Sequence, residues 1–186
     1  MADRTLLLPA VRAAVERHSL DVDVLACDPE LADTATFCAH YGFALEDAAN
    51  TIVVTSKKVD PPLRAVCVVL GTTRLDVNRT VRERLGVRRA SFADADTTVE
   101  LTGMLVGGVT APGIDGLPLW IDAAVLQRER VVMGGGNRSS KLVLDPRQLL
   151  ALPRAEGVEG LATAAPTSSD DESGSGSALE DAGGSG

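Results

Sequence analysis

The sequence is poor in aromatic residues and has no long hydrophobic run. Aromatic side chains make up 3% of the 186 residues and apolar residues 45%, so the core must be built from Val, Leu, Ala and Ile. No apolar run approaches the roughly 20 residues that span a bilayer, and the first residues lack a signal-peptide pattern. A chain of this length fits one domain. We therefore expect a single domain located in the cytoplasm, without membrane contact.

Cysteine and histidine are too scarce for a disulfide framework or a closed metal site. The three cysteines, Cys27, Cys38 and Cys67, have no CxxC spacing, which favours buried thiols that pack as small hydrophobic groups. Cys38 and His40 lie close in sequence, but a closed zinc site needs four ligands and the chain has two histidines. We expect no metal and no cofactor.

Lysine is also scarce, since the chain has three (Lys57, Lys58 and Lys141) and a formal net charge of −8. Strongly hydrated carboxylates keep a protein soluble in a salty cytoplasm, so this composition suggests a halophilic origin. Much of the charge lies in a Gly, Ser and acid-rich segment over 163–186, which cannot bury enough apolar area to fold. The sequence therefore predicts a folded domain over 1–162 and a disordered tail over 163–186.

Arginine, in contrast, is concentrated between residues 74 and 89. Arginine forks fit phosphate oxygens, so this segment is a candidate surface for a nucleic-acid phosphate backbone, and intrahelical pairing such as Arg79 with Glu83 is the structural alternative. No aromatic residue is interleaved for base stacking, so readout of a base sequence is not indicated. The candidate contact residues are Arg79, Arg82, Arg84 and Arg88.

Helical and strand patterns alternate along 1–162, which predicts one α/β domain. Asp76 is placed as an N-cap and Gly86 as a C-cap of one helix; Asp94 or Asp96 opens another, which Gly103 ends. The predicted helices cover 9–18, 29–40, 45–49, 77–85, 94–101 and 146–152. The predicted strands cover 22–27, 51–55, 65–70, 131–133 and 141–144, with a short extended piece at 91–92.

Glycine-dense turns over 102–110 and 134–137 are the most informative motifs. Glycine clusters indicate positive φ values or a close approach of the backbone to another group, and we interpret them as a pocket whose ligand meets main-chain N–H groups. The triple glycine lacks the GxxxxGK[ST] spacing of a P-loop, and a tight hairpin is the structural alternative. No nucleophile elbow or HExxH motif is present, so a site built from backbone donors is favoured.

Residues 49–161 resemble the YbaK/prolyl-tRNA-synthetase-associated editing domain family. The matching landmarks are 49–54, 74–76, 85–86, 102–110, 117–122 and 134–136. The resemblance implies a compact α/β domain with a mixed, barrel-like β core and a freestanding editing hydrolase. Such an enzyme cleaves the ester between tRNA and a wrong small amino acid such as alanine, serine or cysteine. The resemblance further implies aminoacyl-tRNA as the ligand and a synthetase as a possible partner in trans.

The resemblance also assigns roles to individual residues. Its catalytic set is Asn50, Gly107, Gly108 and Asp122, in which Gly107 and Gly108 supply oxyanion donors. Its substrate-binding set is Thr102, Val109, Thr110, Gly134, Gly135 and Gly136. Asn50 stands where active family members carry a lysine, and Ala111 stands where proline is usual.

Three hypotheses follow from this pattern. The first is an editing hydrolase in which Asn50 orients the substrate. The second is a catalytically silent module that binds aminoacyl-tRNA or another aminoacylated ligand. The third is an unrelated small-molecule pocket.

Overall fold

The computed structural model describes residues 3–165. Its strands are β1 Val22–Ala26, β2 Ala49–Ser56, β3 Arg64–Leu70, β4 Thr73–Leu75, β5 Ala90–Phe92, β6 Leu119–Asp122, β7 Val131–Gly134, β8 Ser140–Leu144, β9 Ala155–Val158 and β10 Ala162–Ala164. Its α-helices are α1 Pro9–Arg17, α2 Thr34–Tyr41, α3 Arg82–Leu85, α4 Ala95–Thr102 and α5 Ala123–Leu126. Short 3-10 turns cover Arg4–Leu6, Pro29–Leu31, Leu45–Asp47 and Pro146–Ala151, and a π turn covers Val77–Val81.

The strands form a mixed five-stranded sheet, a three-stranded sheet and a two-stranded ribbon. The large sheet has the order β5-β2-β3-β6-β9, antiparallel from β5 to β3 and parallel from β3 to β9. The small sheet is antiparallel in the order β1-β8-β7, and β4 pairs with β10. A bridge between Ala48 and Val132 joins the two larger sheets. The expected mixed α/β domain is confirmed, although the strands within residues 3–165 do not close into a barrel.

The main core fills the space between the two larger sheets and α1. Val68 of β3, Ile121 of β6 and Leu142 of β8 are all fully buried there, together with Val11 and Val15 of α1. Branched and aliphatic side chains dominate this cluster, as the scarcity of aromatic residues requires. The sheets are therefore fixed against each other, and the edge where they meet is a rigid place for a site.

Local capping signals position two of the helices. The Asp76 carboxylate accepts hydrogen bonds from the backbone of Arg79 and Thr80, and Asp94 does the same for Thr97, so Asp94 is the N-cap of α4. Gly86 and Gly103 end their helices at φ +67° and +69°, values that a residue without Cβ adopts at little cost. These predicted helix ends are confirmed.

The segment predicted as one helix over 29–40 is interrupted. Asp28 caps a single 3-10 turn over Pro29–Leu31, and Asp33 then takes an extended backbone before α2 begins at Thr34. The reason is a tertiary contact: the side chain of Lys141 donates a hydrogen bond to the carbonyl of Ala32 at this break. A single continuous helix would keep that carbonyl for its own backbone.

Most of the predicted tail is not part of the described structure. Residues 166–186 of the predicted tail lie outside the described residues, and Thr163 and Ala164 belong to β10. None of the helices within residues 3–165 is long and apolar enough to cross a membrane.

Candidate active site

A cleft of about 360 Å³ opens where the two larger sheets meet. Strand β2 forms one wall, α2 and β7 form others, and the loop over 106–109 borders its mouth. Its lining residues are Thr34, Phe37, Ala48, Ala49, Asn50, Thr51, Ile52, Val53, Ala93, Ala95, Thr98, Val106, Gly107, Val109, Val132, Met133, Gly134 and Lys141. The cleft is thus mostly apolar with a few polar groups, as ligand sites usually are.

Asn50 is half-buried on this wall and is held in one orientation. It lies opposite Val69 in the β2–β3 pair, and its Oδ1 accepts a hydrogen bond of 2.5 Å from Thr34 Oγ1 at the start of α2. Because the side-chain oxygen faces Thr34, the amide N–H groups are the donors that Asn50 offers to the cleft.

Lys141 is a residue of the cleft that the sequence prediction missed. Its side chain is 4% exposed, and its Nζ donates hydrogen bonds to the carbonyls of Ala32 at 2.6 Å and Gly107 at 3.3 Å. Nζ also lies 5.1 Å from the centre of the Phe37 ring. Burial lowers the pKa of this ammonium below its ordinary value, and the nearby Cys27 and Cys38 act in the opposite direction.

The loop over 105–109 presents fewer free backbone donors than expected. Gly107 and Val109 line the cleft, and Gly107 has φ +90°. The Gly108 N–H, in contrast, donates to the Leu105 carbonyl at 2.9 Å within the loop. Gly108 is also absent from the cleft lining, so the oxyanion donor expected there is already engaged in this structure.

The triple glycine allows close packing against three neighbouring parts of the chain. A Cβ at Gly134 would lie 2.3 Å from the Gly108 carbonyl oxygen, and one at Gly136 would lie 2.6 Å from Leu8 and Val11 of the α1 region. Gly135 would meet Ser140 Oγ at 2.1 Å. Of the three glycines only Gly134 lines the cleft, so Gly135 and Gly136 support the site from behind.

Three other expected site residues do not line the cleft. Thr102 Oγ1 donates to the Thr98 carbonyl and accepts from the Met104 N–H, which ends α4. Thr110 is fully buried beside Met104, to whose sulfur its N–H donates. Asp122 is 4% exposed; burial raises the pKa of its carboxyl group, and the nearby backbone N–H groups of Leu161 and Ala162 act in the opposite direction. All three residues are buried outside the cleft.

The arginine segment lies around α3 and β5, whose apolar residues pack on the face of the large sheet opposite the main core. Arg84 packs over the Trp120 ring at 4.9 Å and forms an ion pair with Glu156, so it has intramolecular partners. Arg82 is half-buried and lies 4.0 Å from Glu83.

The other two candidate tRNA contacts, Arg79 and Arg88, face solvent. The Lys57 N–H donates to the Arg89 carbonyl, which brings the lysines after β2 beside these arginines. The segment is therefore a basic surface separate from the cleft.

No group of three or more His, Cys, Asp or Glu side chains within residues 3–165 is arranged to hold a metal ion. The polar groups of the cleft are an amide, an ammonium, threonine hydroxyls and backbone.

The model of the aminoacyl-tRNA editing domain family matches residues 28–152, a span that includes every residue lining the cleft. The chain belongs to this family. The editing domain is also similar to a crystal structure of a hypothetical protein, with 25% identity and a TM-score of 0.73 over 83% of this chain and 99% of the other. The crystal structure of a candidate trans-editing enzyme for prolyl-tRNA synthetase is 23% identical in sequence to this chain. The two structures match with a TM-score of 0.69 over 82% of this chain and 97% of the other. The second likeness shows the fold alone.

Proposed function

We propose that this editing domain hydrolyses the ester of misacylated tRNA that carries a small amino acid. The observation that carries the proposal is the cleft itself, which places the Asn50 amide, the Lys141 ammonium and the Gly107 backbone around one small apolar space. Ester hydrolysis needs a positioned acyl group and donors for developing negative charge more than it needs a protein nucleophile.

The size of the cleft supports a small acyl group. Its volume of about 360 Å³ lies at the low end of the roughly 300–1,000 Å³ typical of ligand sites. Ala48, Ala49 and Val132 face it with short side chains, while Phe37 limits it on the α2 side. A small pocket excludes larger amino acids by size, which is how editing sites separate amino acids that differ little in binding energy.

The test is deacylation of tRNAs charged with alanine, serine or cysteine, with a phenylalanine-charged tRNA as the size control. We expect turnover of at least one small aminoacyl ester and none of the phenylalanyl ester. Equal rates for small and large esters would contradict the size argument. Absence of turnover on every ester in the panel would contradict the hydrolase.

Asn50 provides the first prediction about a residue. Asn50→Ala removes the amide donors from the cleft and should lower kcat/KM about 10- to 100-fold, the effect of losing roughly 1–3 kcal/mol of hydrogen bonding. The matched variant is Thr34→Val, which frees the Asn50 oxygen but keeps the amide, and we expect a smaller loss. Steady-state deacylation measures both, and a larger loss in Thr34→Val would refute the assigned role.

A catalytically silent binding module is the second candidate, and the engaged Gly108 N–H favours it. With that donor bonded to Leu105, fewer backbone groups remain for an oxyanion. Binding of a non-hydrolysable aminoacyl-adenosine amide in the absence of turnover would establish this alternative.

The exposed arginines provide a prediction about tRNA binding. Arg79→Ala combined with Arg88→Ala should weaken tRNA binding several-fold and reduce the log–log salt slope by about one for each lost phosphate contact. The control is Arg130→Ala with Arg147→Ala, two exposed arginines paired with Asp23 and Asp145 elsewhere on the surface. Filter binding across a salt series measures both, and equal losses in the two double variants would remove the specific role.

A further inference from the structure

Among residues 3–165, Lys141 is a buried cation that forms no ion pair with a carboxylate. Within residues 3–165 no Asp or Glu oxygen lies within 4.0 Å of its Nζ, although the side chain is 4% exposed. Burial of an unpaired charge costs several kcal/mol in proteins. Methionine or leucine would fill the same space without that cost, so packing alone does not explain a lysine at this position.

The surroundings of Nζ leave it able to bind one more acceptor. An ammonium has three N–H donors, and two of them point to the carbonyls of Ala32 and Gly107. These two carbonyls belong to the helix break before α2 and to the loop at the cleft mouth, so they fix the ammonium from both sides. Lys141 lines the cleft, so the cleft is the route by which a ligand atom reaches the third N–H.

We propose that Lys141 binds the carbonyl oxygen of the aminoacyl ester and stabilises the oxyanion formed from it. This assignment rests on the proposed function. The acyl carbonyl is the acceptor that every aminoacyl ester brings to the cleft, whatever its side chain. It is also the atom on which negative charge develops, and a fixed cation in a site of low dielectric stabilises that charge strongly.

The reaction then balances without any change at Lys141. Water oxygen forms a bond to the carbonyl carbon, and the electron pair of the C=O double bond moves onto the oxygen held by Nζ. Collapse of this intermediate breaks the bond to the ribose oxygen. One water proton goes to that ribose oxygen, and the other is released from the new carboxyl group. Lys141 keeps its proton throughout and acts as an electrostatic donor.

The small number of lysines makes the proposal directly measurable. The chain has three lysines, of which Lys57 and Lys58 are exposed, so a protein labelled with ¹³C and ¹⁵N only in lysine gives three side-chain signals. The probe is 3′-(L-alanylamino)-3′-deoxyadenosine, whose amide keeps the carbonyl and resists hydrolysis. We expect this probe to shift the Lys141 signal with saturation and to leave the other two in place. Saturation of the protein without a shift of Lys141, or no binding of the probe, would overturn the assignment.

Kinetics supply a second readout. Lys141→Met keeps the length of the side chain but removes the charge and should lower kcat about 100-fold or more, the usual cost of one lost oxyanion donor. We expect KM to change less than about 5-fold, because the effect falls on the transition state. A clamp that only holds the loop over 105–109 would raise KM and lower Tm instead, and that result would contradict the proposal.

The two experiments separate this inference from the proposed function. Turnover by the unchanged protein together with an unmoved Lys141 signal would refute the role of Lys141 and leave the hydrolase standing. A shifted Lys141 signal without turnover on any ester would refute the hydrolase and keep Lys141 as the group that binds the acyl carbonyl.

Discussion

Replacing Gly108 with alanine is expected to lower Tm by about 10 °C, the consequence of roughly 3 kcal/mol of overpacking in a chain of this size. An added Cβ would lie 2.2 Å from the Asn137 carbonyl oxygen and 2.8 Å from the Asn137 Cα. Both contacts are with backbone, so no side-chain rotation can relieve them. The loop must move away, and the hydrogen bond from the Gly136 N–H to the Gly108 carbonyl is lost with it. Thermal unfolding followed by circular dichroism measures the change.

Gly103→Ala is the matched control for this substitution. Gly103 has φ +69° and nothing within 4 Å of an added Cβ, so alanine there is strained only in its backbone. That strain costs roughly 1–2 kcal/mol, which corresponds to a smaller fall in Tm. If Gly108→Ala were as stable as Gly103→Ala, the close packing of the two glycine turns would not be a source of stability.

The comparison of these glycines shows how a sequence motif can be located correctly and interpreted wrongly in detail. The glycine clusters do indicate close backbone approach, and both border the cleft. The atoms approached by Gly108 and Gly135, however, belong to the chain itself. A sequence shows that a residue has no side chain, but it does not show whether a ligand or another strand occupies the vacant space.

Local signals predicted much of the fold because their physics is local. The caps at Asp76 and Asp94 act over three or four residues, and the apolar run of β3 requires burial wherever it lies. Strands β6 and β9 were not predicted. Each has only four residues, and β9 includes a glycine, so the hydrophobic pattern is too short to indicate a strand. Their pairing depends on partners far away in the sequence.

Lys141 could not be recognised as a site residue for the same reason. Its contacts with Ala32 and Gly107 span 109 and 34 residues, so no spacing in the sequence connects them. The available signal was indirect: a lone lysine within the otherwise mostly apolar strand β8, in a chain with few lysines. Asn50 was found through a family pattern, whereas the cation in the same cleft required the fold.

Asp122 provides a prediction that separates a structural carboxylate from a catalytic one. The carboxylate lies at the end of β6, near the backbone N–H groups of Leu161 and Ala162 at the start of β10. Asp122→Ala leaves these buried donors without an acceptor, which costs roughly 1–3 kcal/mol and should lower Tm by about 5 °C. Because Asp122 does not line the cleft, kcat measured well below Tm should fall less than about 3-fold. A loss of 100-fold or more in a folded variant would restore the catalytic role.

The pH dependence of Asp122→Asn tests the same carboxylate without removing its acceptor oxygen. Burial raises the pKa of Asp122 above its ordinary value of 3.8, so the folded protein holds this proton at pH values where the unfolded chain has lost it. The contribution of Asp122 to stability therefore falls as pH rises from about 3.8 through the folded pKa, and it is constant above that. The amide introduced by Asp122→Asn does not titrate, so the stability of the variant relative to the original protein should increase with pH across this window. Denaturant unfolding at a series of pH values measures that difference, and a difference independent of pH would show that the carboxylate is not held in a desolvated position.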